Sequence, residues 1–129
     1  MSSSPDLLQT TTVVNRYSLA SAHGRIEWQV GTGGNVELTH LRVTEPRRGH
    51  GTELLRAMIG ALAYTVVPYE TVYGFTRCVN FRAGQFYSKH GFRLSTVNGV
   101  YRDGDAVVFS ARYKDLCARF GLVPQETPA

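Results

Sequence analysis

Hydrophobic and polar positions change period along this chain. Early on, Ile26, Trp28, Val36 and Leu38 alternate with polar neighbours, the two-residue repeat of strands with one buried face. Residues 16–21, 24–30 and 35–43 are therefore predicted as three strands, with Gly31-Thr32-Gly33-Gly34 turning between the last two. From Thr52 the repeat lengthens, and Leu54, Leu55, Met58, Ala61 and Leu62 fall on one face of a helix over 52–64. A strand at 71–76, a helix at 80–90 and closing strands at 92–96 and 106–112 follow, with Asn98-Gly99 and Asp103-Gly104 punctuating the closing pair. In the second helix Asn80 suits an N-cap. Ala83, Phe86, Tyr87 and His90 recur at helical spacing, and Gly91 provides a left-handed stop before Phe92.

Composition narrows the class. The chain has 129 residues, enough for one domain with a modest core, and its 43% apolar content is ordinary for a globular protein. We expect that domain over 16–123, between a flexible N-terminus (1–15) and a loose tail (124–129). Cys78 and Cys117 have no metal-ligand spacing and form no disulfide framework, so the expected compartment is the cytoplasm and no metal is expected. There is no signal-peptide pattern and no apolar run long enough to span a bilayer. The net charge of +4 suits an anionic ligand and permits nucleic acid. No stripe of Lys/Arg with interleaved aromatics supports the latter.

The strand ending at Val43 runs through Thr44-Glu45-Pro46 into Arg47-Arg48-Gly49-His50-Gly51-Thr52 and straight into the first helix. A basic, glycine-spaced turn at a helix start leaves several backbone N–H groups pointing at one spot, backed by the positive end of the helix dipole. Such a turn can seat a pyrophosphate. It is also, on its own, compatible with a plain tight turn.

In this order the two segments resemble the GNAT superfamily of acyl-CoA-dependent N-acyltransferases. That family's later helix carries Asn-x-x-Ala-x-x-Phe/Leu-Tyr and ends in Gly-Phe, which Asn80, Ala83, Phe86, Tyr87, Gly91 and Phe92 match position for position. Its phosphate loop matches with Gly49 and Gly51 as the two glycines and Pro46 where Gln or Arg is usual. The alternative register puts Arg48 in that place, with Gly51 as the first glycine and Glu53 replacing the second. The resemblance covers roughly residues 24–112, without the family's N-terminal strand and helical pair.

The resemblance implies an α/β fold with a mixed, mostly antiparallel sheet and two principal helices. It implies acetyl-CoA as acyl donor and an amine acceptor of unknown identity. Arg47, Arg48, Gly49, His50, Gly51 and Thr52 would hold the pyrophosphate, His50 through its backbone rather than its ring. Leu41 and Val43 would pair with the pantetheine, Val43 or its neighbour also donating to the carbonyl oxygen that becomes negative. Asn80 would contact the cofactor arm, or serve only as a cap. Tyr87 would be the general acid, since a phenol with a pKa near ~10 keeps its proton at neutral pH. Glu37 would be the base, placed by the two-residue strand period on the same face as Thr39 and Val43, with His40 on the other face as its rival. Cys78 reads as a structural cysteine, an acyl-cysteine being the alternative.

Three functions are compatible with this reading. They are acetylation of a small-molecule or protein amine, acylation of nucleic acid or charged tRNA, and non-catalytic acyl-CoA binding. The apolar run Val107-Val108-Phe109 predicts a strand buried on both faces or at an interface. A homodimer is therefore expected, completed by strand 106–112 or by segment 113–122.

Overall fold

The computed structural model describes residues 15–65, 67–101 and 104–124. Strands β1 (Asn15–Ser21), β2 (Gly24–Val30) and β3 (Asn35–Val43) form an antiparallel meander. Helix α1 (His50–Ala63) leads to β4 (Thr71–Arg77), and helix α2 (Phe81–Lys89) leads to the hairpin of β5 (Arg93–Tyr101) and β6 (Gly104–Arg112). A third helix, α3 (Tyr113–Phe120), follows. The strand order is β1-β2-β3-β4-β6-β5, antiparallel throughout except where β3 meets β4.

Both β3-α1-β4 and β4-α2-β5 are crossovers that step the same way across the sheet. Right-handed connections of that kind put their helices on one face. The core lies there, with Ile26, Trp28, Val36, Leu38 and Val72 of the sheet under Leu55, Met58 and Ile59 of α1 and Leu116 and Cys117 of α3. Gly74 belongs to this face, and a Cβ on it would collide with the ring of Phe109. The missing side chain lets Phe109 lie flat against β4 and carry the aromatic stack of the site. The opposite face carries the row Gln29, Glu37, Tyr73, Ser110, set side by side by the strand registers.

Two sequence expectations change, and one element is added. Strand β6 lies between β4 and β5, so both its backbone edges are already hydrogen-bonded and it cannot add a partner's strand. Asn98 and Gly99 lie inside β5, where the ladder to β6 shifts register between Val97 and Tyr101, and Asp103 lies outside the described residues. Segment 113–120 is helical, with Tyr113, Leu116 and Cys117 buried at helical spacing and Gly121 as left-handed stop. Among the described residues α3 thus joins the two principal helices, α1 and α2, against the sheet. The expected flexible N-terminus and loose tail fall almost wholly outside the described residues.

Candidate active site

Strands β3 and β4 pair over only three rungs, Asn35–Glu37 with Thr71–Tyr73, and then part. Beyond Glu37, β3 stays bonded to β2 and β4 to β6, so a wedge opens between two central strands and leaves their facing N–H and C=O groups unpaired with each other. The N-terminus of α1 stands at the wedge. The first ladder bond of α1 runs from the Glu53 N–H to the Gly49 carbonyl (3.0 Å), so the N–H groups of His50, Gly51 and Thr52 precede the ladder. Gly49 caps the helix at φ 81°, and Arg47 also takes a positive φ of 67°. This double reversal turns the chain from strand into helix with no side-chain cap.

Wedge and helix end bound a groove of about 620 Å³. Of the residues expected at the cofactor, Leu41, Val43, Arg47, Gly49, Gly51, Thr52 and Asn80 line it, as does Tyr87. Pro46 lines it too. Arg48 does not, and the ring of His50 is turned away onto His23. Gly51 is packed closely against α2, and a Cβ there would sit 3.2 Å from the Phe86 ring. Asn80 uses its side-chain oxygen to accept from the Ala83 N–H (3.1 Å), so it is a true cap that also faces the groove.

Sequence reasoning missed Arg82, Gln85, Phe86 and Lys89 as groove residues. Their spacing, three, one and three, is a helical stripe along α2, and two of the four are cationic. That stripe is the signal that would have found them. With Arg47 they place three positive side chains on the groove wall.

Tyr87 is buried, its ring stacked on Phe109 with centroids 3.6 Å apart and planes 6° from parallel, and edge-on to Phe86 and Phe92. Burial pushes its phenol far above the ordinary value of 10.0. Where α2 ends, buried His90 sits with Nε2 2.9 Å from the Thr52 hydroxyl, between the rings of Phe86 and Phe120.

Glu37 lies off the groove, at the last paired rung before the wedge. Its Oε1 accepts from Gln29 Nε2 at 3.0 Å. The Tyr73 phenol is raised above 10.0, first by burial, then by the charge of Glu37 and a hydrogen bond to it. The expected facing of β3 needs correction. The register slips by one between Glu27 and Trp28, so that His40 opposes Glu27 while Leu38 opposes Trp28. Thr39 is the extra residue of a β-bulge, and an inserted residue flips every later side chain to the other face. His40 therefore shares the face of Glu37, and Leu41 and Val43 are delivered to the core and groove side.

Neither a protein-family model nor a curated protein matches the sequence. Solved structures do match. Ard1 from Thermoplasma volcanium superposes with a TM-score of 0.62 at 22% identity, over 70% of this chain and 62% of that one. An acetyltransferase of the GNAT family from Desulfovibrio desulfuricans gives 0.63 at 17%, over 76% and 69%. Arabidopsis thaliana Naa50 in complex with the bisubstrate analogue CoA-Ac-MVNAL gives 0.58 at 25%, over 69% and 64%. The match spans just under two thirds of the Ard1 and Naa50 chains. By these likenesses the chain, with its mixed and mostly antiparallel sheet, has the GNAT acetyltransferase fold.

Proposed function

We propose that this chain is an acyl-CoA-dependent N-acyltransferase that moves an acetyl group from acetyl-CoA to a primary amine of a small molecule or protein by direct attack. The observation that carries this reading is the wedge between β3 and β4, with unladdered N–H groups of α1 at one end and Tyr87 on its wall.

The groove fits the donor. The N–H groups of His50, Gly51 and Thr52 and the side chains of Arg47, Arg82 and Lys89 suit the phosphates. The free edge of β3 around Leu41 and Val43 suits the amides of the pantetheine, and a backbone N–H there would meet the negative charge developing on the carbonyl oxygen. An opening between strands connects the two faces of the sheet. The thioester can thus be held from the helical face and approached by the amine from the face of Glu37, Gln29 and Tyr73.

The chain's own groups then move two protons. Glu37, through water, takes one from the attacking amine nitrogen as that nitrogen bonds to the carbonyl carbon. Tyr87 gives one to the sulfur as the carbon–sulfur bond breaks. A strongly raised phenol pKa keeps that proton in place across the working pH range, and the same dry surroundings make a departing thiolate more basic. Purified protein supplied with acetyl-CoA and a panel of amines, peptides and tRNA should release free thiol and acetylated amine together. Failure to bind acetyl-CoA would refute the reading, and acetylated tRNA alone would replace its acceptor.

The homodimer remains part of this proposal through a different surface. Interior β6 offers no free edge, but Val108 sits beside Phe75 on the face away from the helices, with Tyr73 edge-on to Phe75 at 6.0 Å. Two copies joined there would wall the acceptor side for one another. A cytoplasmic location is proposed from the two free cysteines, and among the described residues no helix is long and apolar enough to cross a membrane.

A further inference from the structure

His23, Glu45 and His50 are 22 and 5 residues apart in sequence and share no motif, yet the fold brings them together. One ligand atom from each lies within 4.8 Å of the other two. The gathering is built rather than incidental. His23 stands in the β1–β2 turn, where its N–H donates to Ser21 Oγ (3.1 Å) and its carbonyl accepts from the N–H (2.9 Å) and the hydroxyl (3.2 Å) of Thr44. Thr44 is thereby tied down, and Glu45 follows it directly. The His23 ring stacks on that of His50 with centroids 3.9 Å apart and planes 3° from parallel. His50, the first residue of α1, has Nδ1 3.2 Å from Glu53 Oε1. A carboxylate on one imidazole nitrogen fixes the tautomer and frees the lone pair of the other, the outer arrangement found around metal-bound histidines.

We infer that His23, His50 and Glu45 form a binding site for a divalent first-row transition ion, Zn²⁺ in the first place, held in position by Glu53. Two imidazoles and one carboxylate are a zinc-type donor set, and a fourth position would be left to water. A single carboxylate among the ligands is a poor site for Mg²⁺ or Ca²⁺, which want several oxygens. Zinc bonds near ~2.1 Å put tetrahedral ligands roughly 3.4 Å apart. A metal lies in the plane of each imidazole that binds it, so coordination swings the exposed His23 ring out of its parallel stack on His50 and brings exposed Glu45 in with it. None of the three side chains lines the groove, so the ion sits behind its phosphate end rather than at the thioester. It acts as a staple, joining the β1–β2 turn, the loop after β3 and the first turn of α1. The N–H groups that precede the α1 ladder belong to that last segment, so the bound ion stiffens them.

Calorimetric titration of the full chain with ZnCl₂, without any acyl-CoA, tests the site independently of the proposed reaction. One ion per chain is expected. His23→Asn and Glu45→Gln should each weaken binding by at least about tenfold, and Glu53→Gln by about tenfold through the outer contact. His40→Asn and Cys78→Ser should leave the affinity unchanged, and MgCl₂ should give no saturable heat. Because His23 and Glu45 are exposed, thermal melts of their metal-free variants should match the parent and certify the fold. Absence of stoichiometric zinc binding, or binding undiminished in both His23→Asn and Glu45→Gln, would overturn the inference.

Discussion

His90 Nε2 lies 2.9 Å from the hydroxyl of Thr52, so the end of α2 is fastened to the start of α1 across the groove both helices line. The histidine is buried beneath Phe86 and Phe120, and desolvation first, then the charges of Lys89 and Arg119, hold its pKa below the ordinary 6.5. The link therefore works with a neutral ring.

That arrangement gives stability a pH dependence of known sign. The folded chain binds a proton at His90 less readily than the unfolded chain does. The contribution is complete above pH 6.5 and is lost as the pH falls through the lowered value. Glu27, lowered from 4.5 chiefly by its hydrogen bond to Arg25, acts in the same direction but only in more acid solution. Urea unfolding across a pH series should show a decline starting below 6.5 that is flattened in His90→Gln. An unchanged decline in that variant would show that another group is responsible.

The phosphate end is tested through its glycines. Valine at Gly49 would force a β-branched residue into φ 81°, costing on the order of 1–2 kcal/mol. Valine at Gly51 would crowd the Phe86 ring and put a side chain where the phosphates approach the backbone. In the parent, acetyl-CoA at a hundred times its Kd should add about 2.7 kcal/mol of apparent stability. Both variants should melt lower and lose most of that ligand-induced rise; a full rise in either would place the phosphates elsewhere.

Glu37→Gln keeps a group able to bond Gln29 and removes only the charge at the edge of the wedge. The expected result is a fall in kcat on the order of 10²-fold, largest at low pH where neutral amine is scarcest, with acetyl-CoA affinity intact. The Tyr73 phenol should also titrate lower, since the Glu37 charge adds to the burial that raises it. Loss of acetyl-CoA binding in this variant would contradict the placement of Glu37 off the groove.

Much of this site was legible in the residues because it is built from local signals. Asn80 to Phe92 carries its own cap, stripe and stop, and Gly49 and Gly51 mark a strand-to-helix turn without help from distant parts. What was not legible depends on pairing between segments. The bulge at Thr39 has no sequence mark, and it alone decides that Leu41 and Val43 face the groove while His40 joins Glu37. Asn98-Gly99 looks like a hairpin turn and instead lies within β5, at the irregularity where the ladder to β6 is interrupted between Val97 and Tyr101. The cluster of His23, Glu45 and His50 is likewise a product of pairing, the β1–β2 turn being hydrogen-bonded to Thr44 beside Glu45.

The proposed dimer is checked by light scattering. Val108→Asp puts a charge on the sheet face away from the helices, beside Phe75, without touching the core face. The parent should have twice the chain mass and the variant the mass of one chain. A parent that is monomeric and fully active at micromolar concentration would leave the acceptor face open and favour a macromolecular acceptor.

The central claim is that Tyr87 hands a proton to the leaving sulfur inside a groove built for acetyl-CoA. Tyr87→Phe preserves the stack on Phe109 and deletes only the hydroxyl, so fold and acetyl-CoA affinity should stay within error of the parent. The decisive measurement is the rate of acetylated-amine formation by mass spectrometry, parent against Tyr87→Phe, at saturating acetyl-CoA. A loss on the order of 10²- to 10⁴-fold is expected. Equal rates, or no acetylated amine from the parent with any acceptor despite tight binding of acetyl-CoA, would contradict the account.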